Sequence, residues 1–589
     1  MAKKSIINKL KGFGIKLNPE QRQAVEALQG ASIINAGAGS GKTTAIVAKL
    51  MYAQLQNPDS YALAISFTKK AVYELQSRLS NVSNVTCTTF HSFFWRVLRS
   101  NGYKHFRIVE NEAQRNEIIS KVIADNELQD VIEPQEFVEN FARHRFSTAP
   151  MQLLKDAYLD ELKNRHMVCF DGILHFVYEL LIAKPSVIHR IRNMYDFVMF
   201  DESQDLSTLQ VSIITLIWDD ASCNITMVGD PCQSIYSFRG SQQNVMEELQ
   251  RFYRATTFNL TTNYRSTSAI LEVANTVLPQ AQKLVPAKKS AGIAPIFQAF
   301  AKPEGEARFI CDEIKRLHNS GTKLSDIAIL FRSSPAISEV FEELINQQIP
   351  VVKIGSDCAK WFNSRFKKII ALLNFAYGNC NSHYIKCVLP IFNIPITALA
   401  ETYYENNPSI QDVLLSHPAI SKNLKAKLQQ FFTIDVASVT MQELAKQLWD
   451  LILKEHYEDT SDQVIEEFIE AISRFESFAD FRLYLSQIRL IAKQMERLTS
   501  DPTADYVRLL SIHTAKGMEF DTVFIVGASD GILPDTTHET ANIAEENRLA
   551  YVAVTRAKER LYVTYSNSGI KEGTQPSRFF AQHFTTNRP

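Results

Sequence analysis

Ser32-Ile33-Ile34-Asn35 runs directly into Ala36-Gly37-Ala38-Gly39-Ser40-Gly41-Lys42-Thr43-Thr44. A short apolar run ends on a glycine-rich turn, and a helical pattern follows. The turn fits the G-x-x-x-x-G-K-[ST] spacing, with Ala36 in place of the first glycine. Glycines let backbone N–H groups wrap phosphate oxygens, and the following helix presents its positive N-terminus to the same anion. Lys42 is expected on the β- and γ-phosphates and the Thr43 hydroxyl on Mg²⁺. Ala36 to Thr44 are therefore the expected nucleotide contacts, and ATP with Mg²⁺ the expected cofactors.

Moving outward, the strand-then-helix texture repeats. Tyr61–Phe67 leads into a polar helix, Asp196–Phe200 precedes an acidic pair, and Asn224–Val228 precedes Gly229-Asp230. It returns late in the chain at Ile327–Phe331, Val507–Ile512, Thr522–Val526 and Arg560–Thr564. Buried strands alternating with helices predict parallel α/β domains. Two stretches with apolar residues at helical spacing, about Trp95–Ile191 and Asn379–Ser500, predict a helical insertion in each of two such domains. Asp201-Glu202 follow a buried strand at its C-terminal end, where α/β sheets place ligands. Asp201 is expected to hold the metal, and Glu202 to polarise an attacking water. An isolated acidic pair is ordinarily a solvated surface feature. Its place after a buried strand and downstream of the phosphate loop reverses that expectation, and the two motifs together predict a nucleotide hydrolase.

The 589 residues exceed what one core usually organises. A formal net charge of −1 argues against a packaging protein but permits a local basic groove. None of the eight cysteines forms a CxxC pair, so no structural zinc or iron–sulfur cluster is expected and a reducing cytoplasm is the simplest setting. No apolar stretch of about 18 residues predicts a membrane span.

Further motifs occur in order along the chain: Leu17-Asn18-Pro19-Glu20-Gln21; Phe67-Thr68-Lys69-Lys70-Ala71 with Glu74; Thr89-Phe90-His91-Ser92; Phe200-Asp201-Glu202-Ser203-Gln204-Asp205; Val228 to Gly240, with Gln233, Tyr236, Phe238 and Arg239; Asn263-Tyr264-Arg265-Ser266; His513 to Phe520; and Glu545 to Ala557. In this set and order the sequence resembles superfamily 1 DNA helicases of the UvrD/Rep/PcrA type. The resemblance implies two RecA-like domains. The first comprises residues 1–95 and 191–268 with a helical insertion at 96–190; the second comprises 269–378 and 501–589 with an accessory insertion at 379–500. It implies that Gln21 and Tyr264 hold the adenine, that Gln233 senses the γ-phosphate, and that Glu519 belongs to the nucleotide site. Arg265 and Arg556 would reach the γ-phosphate from the second domain or its border across a cleft, stabilising transition-state charge and coupling chemistry to closure. Phe67, Tyr236 and Phe238 would stack on bases, and His91, Arg239, Arg332 and His513 would contact the strand.

The resemblance has departures. Thr44 stands where such enzymes often carry an arginine that stacks on adenine. Phe238 replaces a common tryptophan. Ala398 and Ala400, within 393–400, stand where glycines approach duplex phosphates. The expected activity is 3′→5′ translocation on single-stranded DNA with unwinding of tailed duplex, in repair, recombination or replication. The alternative is a DNA-stimulated ATPase subunit of a larger repair or anti-phage defence complex. The chain ends soon after the last motif, so any nuclease activity is expected from a partner protein.

Overall fold

The computed structural model describes residues 2–584 except 110, 130, 221–222, 237–243, 289, 355–363, 379–414, 416–421, 455–461, 500, 502, 537–541 and 568–574. The chain divides into two compact units. One is Met1–Ile296 with Lys516–Thr522 and Pro534–Leu561; the other is Phe297–Ala515 with Val523–Leu533 and Tyr562–Pro589.

The first sheet contains β1 (Ser32–Ala36), β2 (Ala62–Ser66), β3 (Val85–Thr89), β4 (Phe197–Phe200), β5 (Ile225–Gly229) and β6 (Thr256–Leu260). Their order is β3-β2-β4-β5-β1-β6, and every neighbouring pair is parallel. Side chains alternate between two cores, as the period of a strand requires. Ile33, Leu63, Ile65, Val198, Phe200, Ile225 and Met227 enter one core, while Ile34, Ala62, Ala64, Met199 and Val228 enter the other. The alanine-rich face packs with Ala45 and Ala48 of the helix that follows the phosphate loop. The other face is continuous with Phe137, Leu154, Tyr158, Leu162 and Phe176, so the inserted helices share their core with the sheet. Burying each such large side chain contributes roughly 1.5–3 kcal/mol.

The second sheet contains β7 (Ile296–Phe300), β8 (Ile327–Phe331), β9 (Val351–Ile354), β10 (Val507–Ser511), β11 (Phe520–Ile525) and β12 (Ala557–Ser566), in the order β7-β12-β11-β8-β10-β9. β10 pairs in parallel with both β8 and β9. The architecture is the expected α/β one, with two parallel-strand sheets. The eight strands expected from sequence are the eight interior strands of the two sheets. The four that carried no clear signal, β3, β6, β7 and β9, are the four edges. Between β9 and β10 the described residues include the helices Ser364–Ala376, Lys422–Phe432, Met441–Leu448, Gln463–Ile472 and Phe478–Leu498. Residues 393–400, where altered duplex contacts are expected, lie outside the described residues. No described helix is long and apolar enough to cross a membrane.

Candidate functional site

The phosphate loop joins β1 to helix α1 (Lys42–Gln56). Gly39 and Gly41 have φ of +67° and +80°, a region that side chains disfavour. A Cβ at Gly39 would lie 2.6 Å from Asn263 Nδ2, and one at Gly41 would lie 2.7 Å from Gln21 Nε2, so space as well as backbone requires glycine. Asn263 is fully buried. Its amide donates to the Ala38 carbonyl at 2.6 Å, and its Oδ1 accepts from the Arg265 and Ser266 N–H groups at 2.9 and 2.8 Å. One side chain thus ties the loop to the segment bearing Tyr264 and Arg265. On the other flank, Gln21 Nε2 donates to the Ser40 carbonyl at 2.9 Å. Gln21 is fixed by a reciprocal cap: its N–H donates to Asn18 Oδ1 at 2.7 Å while the Asn18 N–H donates to Gln21 Oε1 at 3.2 Å. Within the loop the buried Ser40 hydroxyl has no hydrogen-bond partner among the described residues. With the first-turn N–H groups of α1, which have no intrahelical acceptors, this cradle suits phosphate oxygens.

At the C-terminal end of β4, Lys42 Nζ lies 3.1 Å from Asp201 Oδ1 and also pairs with Glu202. The Ser66 hydroxyl donates to Asp201 Oδ2 at 3.1 Å. Glu202 adopts φ +53°, a left-handed conformation costing a non-glycine residue about 1–3 kcal/mol and commonest at functional sites. Burial works against its charge, but Lys42 and Lys516 overcome it and bring its carboxyl down to about 2. Burial likewise opposes the Lys42 charge, yet Asp201 and Glu202 raise its pKa above the ordinary lysine value. For Asp201 burial wins and the pKa rises. Gln204 braces the cluster: its amide donates to Glu202 Oε2 at 2.7 Å, and its Oε1 accepts from the Asp230 N–H at 3.1 Å.

Gln233, Arg265 and Arg556 lie in the same compact unit as the loop. Arg556 is 1% exposed, and its Nη2 donates to Gln233 Oε1 at 3.1 Å. Its other nitrogens donate to the Val552 and Met518 carbonyls at 3.0 and 3.1 Å. Burial, with Arg265 close by, pulls this guanidinium down to about 9. Arg265 Nε donates to Glu519 Oε2 at 2.7 Å, and its Nη1 to the Thr555 carbonyl at 3.0 Å. Glu519 therefore enters the cluster as the partner of an arginine. Thr43 is half-buried in the first turn of α1. Thr44 accepts a long hydrogen bond from Arg78 at 3.5 Å.

Lys516 joins this cluster to an aromatic platform. Its Nζ lies 2.5 Å from Asp205 Oδ2, donates to the Gln233 carbonyl at 2.6 Å, and sits 4.7 Å from the centre of the Tyr236 ring. Tyr236 stacks with Phe67 at 6.1 Å and 14° between planes, and Phe67 is 41% exposed. A second stack pairs His91 with Phe170 at 3.9 Å and 20°. Burial lowers the His91 pKa to about 4, so the ring is neutral at pH 7 and cannot serve as a fixed cation. In the other unit, Arg332 follows β8 and His513 lies in the short helix Ile512–Ala515 after β10. The pairing of Phe331 with Ser511 brings these two positions to adjacent strand ends. Phe238 and Arg239 lie outside the described residues.

Sequence reasoning gave no role to Gln204, Asp205, Asn263 or Lys516, although all four stand inside motifs. It missed Phe170 altogether. An exposed phenylalanine has no sequence signature; only its stack on His91 marks it.

Residues 17–254 match the model of the UvrD/REP helicase N-terminal domain, and residues 258–413 and 398–568 match that of the UvrD-like helicase C-terminal domain. The chain belongs to the UvrD-like helicase family. A protein named probable DNA helicase II homolog from Mycoplasma capricolum is 30% identical, over 96% of this chain and 86% of that protein. Proteins named ATP-dependent DNA helicase PcrA from Staphylococcus epidermidis and Staphylococcus aureus are each 27% identical over the same shares. The UvrD-like matches span both sheets and the segments that carry Lys42, Asp201, Arg265 and Arg556.

Proposed function

We propose that the chain is an ATP-driven motor that moves 3′→5′ on single-stranded DNA and separates tailed duplex, in repair, recombination or replication in the cytoplasm. Lys516 carries this reading, because one ammonium touches both the nucleotide cluster, through Asp205 and Gln233, and the Tyr236 ring. Family membership and relatives named as ATP-dependent DNA helicases support the substrate and cofactor, and the polarity is the one implied by the resemblance to the UvrD/Rep/PcrA type.

Thr43 and Asp201 are the residues to hold Mg²⁺. A hydroxyl and a carboxylate are hard oxygen donors of the kind this ion would take. When bound there, the ion would neutralise negative charge on the phosphates. Lys42 and the loop N–H groups grip the phosphates, while Arg265 and Arg556 stabilise charge on the outermost one. Glu202 accepts the proton of the attacking water, and ATP and water yield ADP and phosphate. While Lys42 and Lys516 hold Glu202 near 2, it is a poor base. Transfer of Lys42 to a phosphate oxygen removes one of these two cations, and Glu202 becomes more basic when substrate is held. Phe67 and Tyr236 offer faces to bases of any sequence.

A strand-displacement assay on 3′-tailed, 5′-tailed and blunt duplexes tests the proposal. Displacement of the 3′-tailed substrate alone, dependent on ATP, is expected. Displacement of the 5′-tailed substrate alone overturns the polarity, and no displacement despite DNA-stimulated turnover overturns the unwinding.

A further inference from the structure

The segment that follows β6 runs beside the phosphate loop and ends at Arg265. The Gly37 N–H donates to the Leu260 carbonyl at 3.1 Å, Asn263 Nδ2 to the Ala38 carbonyl at 2.6 Å, and the Tyr264 N–H to the Gly39 carbonyl at 2.9 Å. The same segment is gripped by Glu20, in the first turn of the helix Pro19–Glu26. The Thr261 N–H donates to Glu20 Oε2 at 2.9 Å and the Thr261 hydroxyl to Oε1. The Thr262 N–H and hydroxyl each donate to Oε2 at 3.3 Å. One carboxylate thus takes both donors of two successive residues. A glutamate in the first turn of a helix ordinarily serves the helix dipole alone, an effect of about 0.3–1 kcal/mol. Here burial works against the charge, and the donors of Thr261 and Thr262 outweigh it, so the Glu20 carboxyl lies below the usual glutamate value. Gln21, the next residue, donates to the Ser40 carbonyl at 2.9 Å. Successive residues of one helix therefore hold the phosphate loop and the strand that leads to Arg265.

The tip of Arg265 is held by Glu519 and the Thr555 carbonyl. Its backbone is held by Asn263 Oδ1 and, through the two threonines, by Glu20. Thr262 and Arg265 are three residues apart, at most about 11 Å of extended chain, so a shift at Thr262 carries to the guanidinium. Charge on a reacting phosphate is stabilised best by a group already in place. We propose that Glu20 is a positioning residue for Arg265: it fixes the Thr261–Thr262 peptide and so sets where the guanidinium meets the outermost phosphate. The inference rests on the ATP site proposed above and adds a residue that acts on transition-state charge without touching the nucleotide.

The test measures binding of ADP alone and of ADP with aluminium fluoride, a mimic of the phosphoryl group in transfer, beside steady-state ATP turnover at saturating single-stranded DNA. Glu20→Gln keeps the size of the side chain but loses its charge and turns an amide N–H₂ toward donors. It is expected to lower kcat by about 10-fold or more and to move KM for ATP by less than about 3-fold, the pattern of a contact felt only in the transition state. The preference for the fluoride complex over ADP alone should shrink by a similar factor while ADP affinity holds, whereas a merely structural role would weaken both alike. Thr261→Val with Thr262→Val removes two donors, leaves the carboxylate, and should shift the preference the same way; this pair carries the test where Glu20→Gln does not fold. In an Arg265→Ala background, Glu20→Gln should change the preference no further. An unchanged preference overturns the proposal, as does an equal weakening of ADP. A full further loss in the absence of Arg265 also overturns it, because Glu20 would then act elsewhere. Wild-type protein that binds ADP but does not hydrolyse ATP overturns the underlying site reading itself.

Discussion

Two glutamates, one half-buried and one buried, titrate in opposite directions. Glu202 follows β4 in the first unit, and the cations of Lys42 and Lys516 bring it down to about 2 against the pull of burial. Glu306 lies in the first turn of the helix Pro303–Asn319 in the second unit. It accepts from the Thr564 hydroxyl at 2.6 Å and the Gly527 N–H at 3.2 Å, and burial lifts it to about 7. Both units use α/β layers, and in both a carboxylate braces the C-terminal end of a strand. The difference lies in what surrounds each carboxylate. In the first unit two lysines keep the carboxylate charged, as the proposed hydrolysis needs; in the second, neutral donors hold a group that joins a helix to strand ends. Similar architecture does not carry similar chemistry, which resides in side chains set on the scaffold.

The comparison breaks most visibly at Lys42. Lys42→Ala should lower ATP turnover by about 10³-fold, the scale of losing a preorganised charge at the reacting phosphate, while binding of single-stranded DNA survives. Turnover and DNA binding measured on the same preparation decide this. Retained turnover means that the loop is not the engine. Next in size is Tyr236→Ala, which removes one face of the platform above Lys516. Loss of stacking worth roughly 1–3 kcal/mol should raise the DNA concentration for half-maximal ATPase by about 5–150-fold, and DNA-stimulated turnover should fall more than basal turnover. Equal losses contradict the stacking role.

The smallest effect sharpens the other side of the comparison. The folded-state pKa of Glu306 is raised, so its contribution to stability is fully present below the ordinary glutamate value of 4.5 and is lost as pH rises through about 7. Relative to wild type, Glu306→Gln should therefore gain stability as pH rises from 5 to 8, with ATP turnover retained. Thermal melts of both proteins across that range check it. A difference that does not change with pH means that Glu306 is not held neutral.

The sequence made the sheet interiors legible because fully buried strands are written as unbroken apolar runs such as Ile327–Phe331. Edge strands such as Val85–Thr89 and Thr256–Leu260 are half-buried and polar in places, and their pattern fades into that of loops. The candidate nucleotide residues stand out in the sequence because phosphate chemistry demands glycines, a lysine and carboxylates at fixed spacings. The bracing residues do not. Nothing in the spacing shows that Asn263 holds the loop, that Gln204 links Glu202 to Asp230, or that Phe170 meets His91, because these contacts exist only after distant segments pack.

The central claim is that the nucleotide cluster and the aromatic platform form one machine joined at Lys516. The most direct measurement is ATP turnover of the wild-type chain titrated with an unstructured single-stranded oligodeoxynucleotide. Turnover is predicted to rise with the oligonucleotide and saturate. Turnover that stays flat while the oligonucleotide demonstrably binds would contradict the claim.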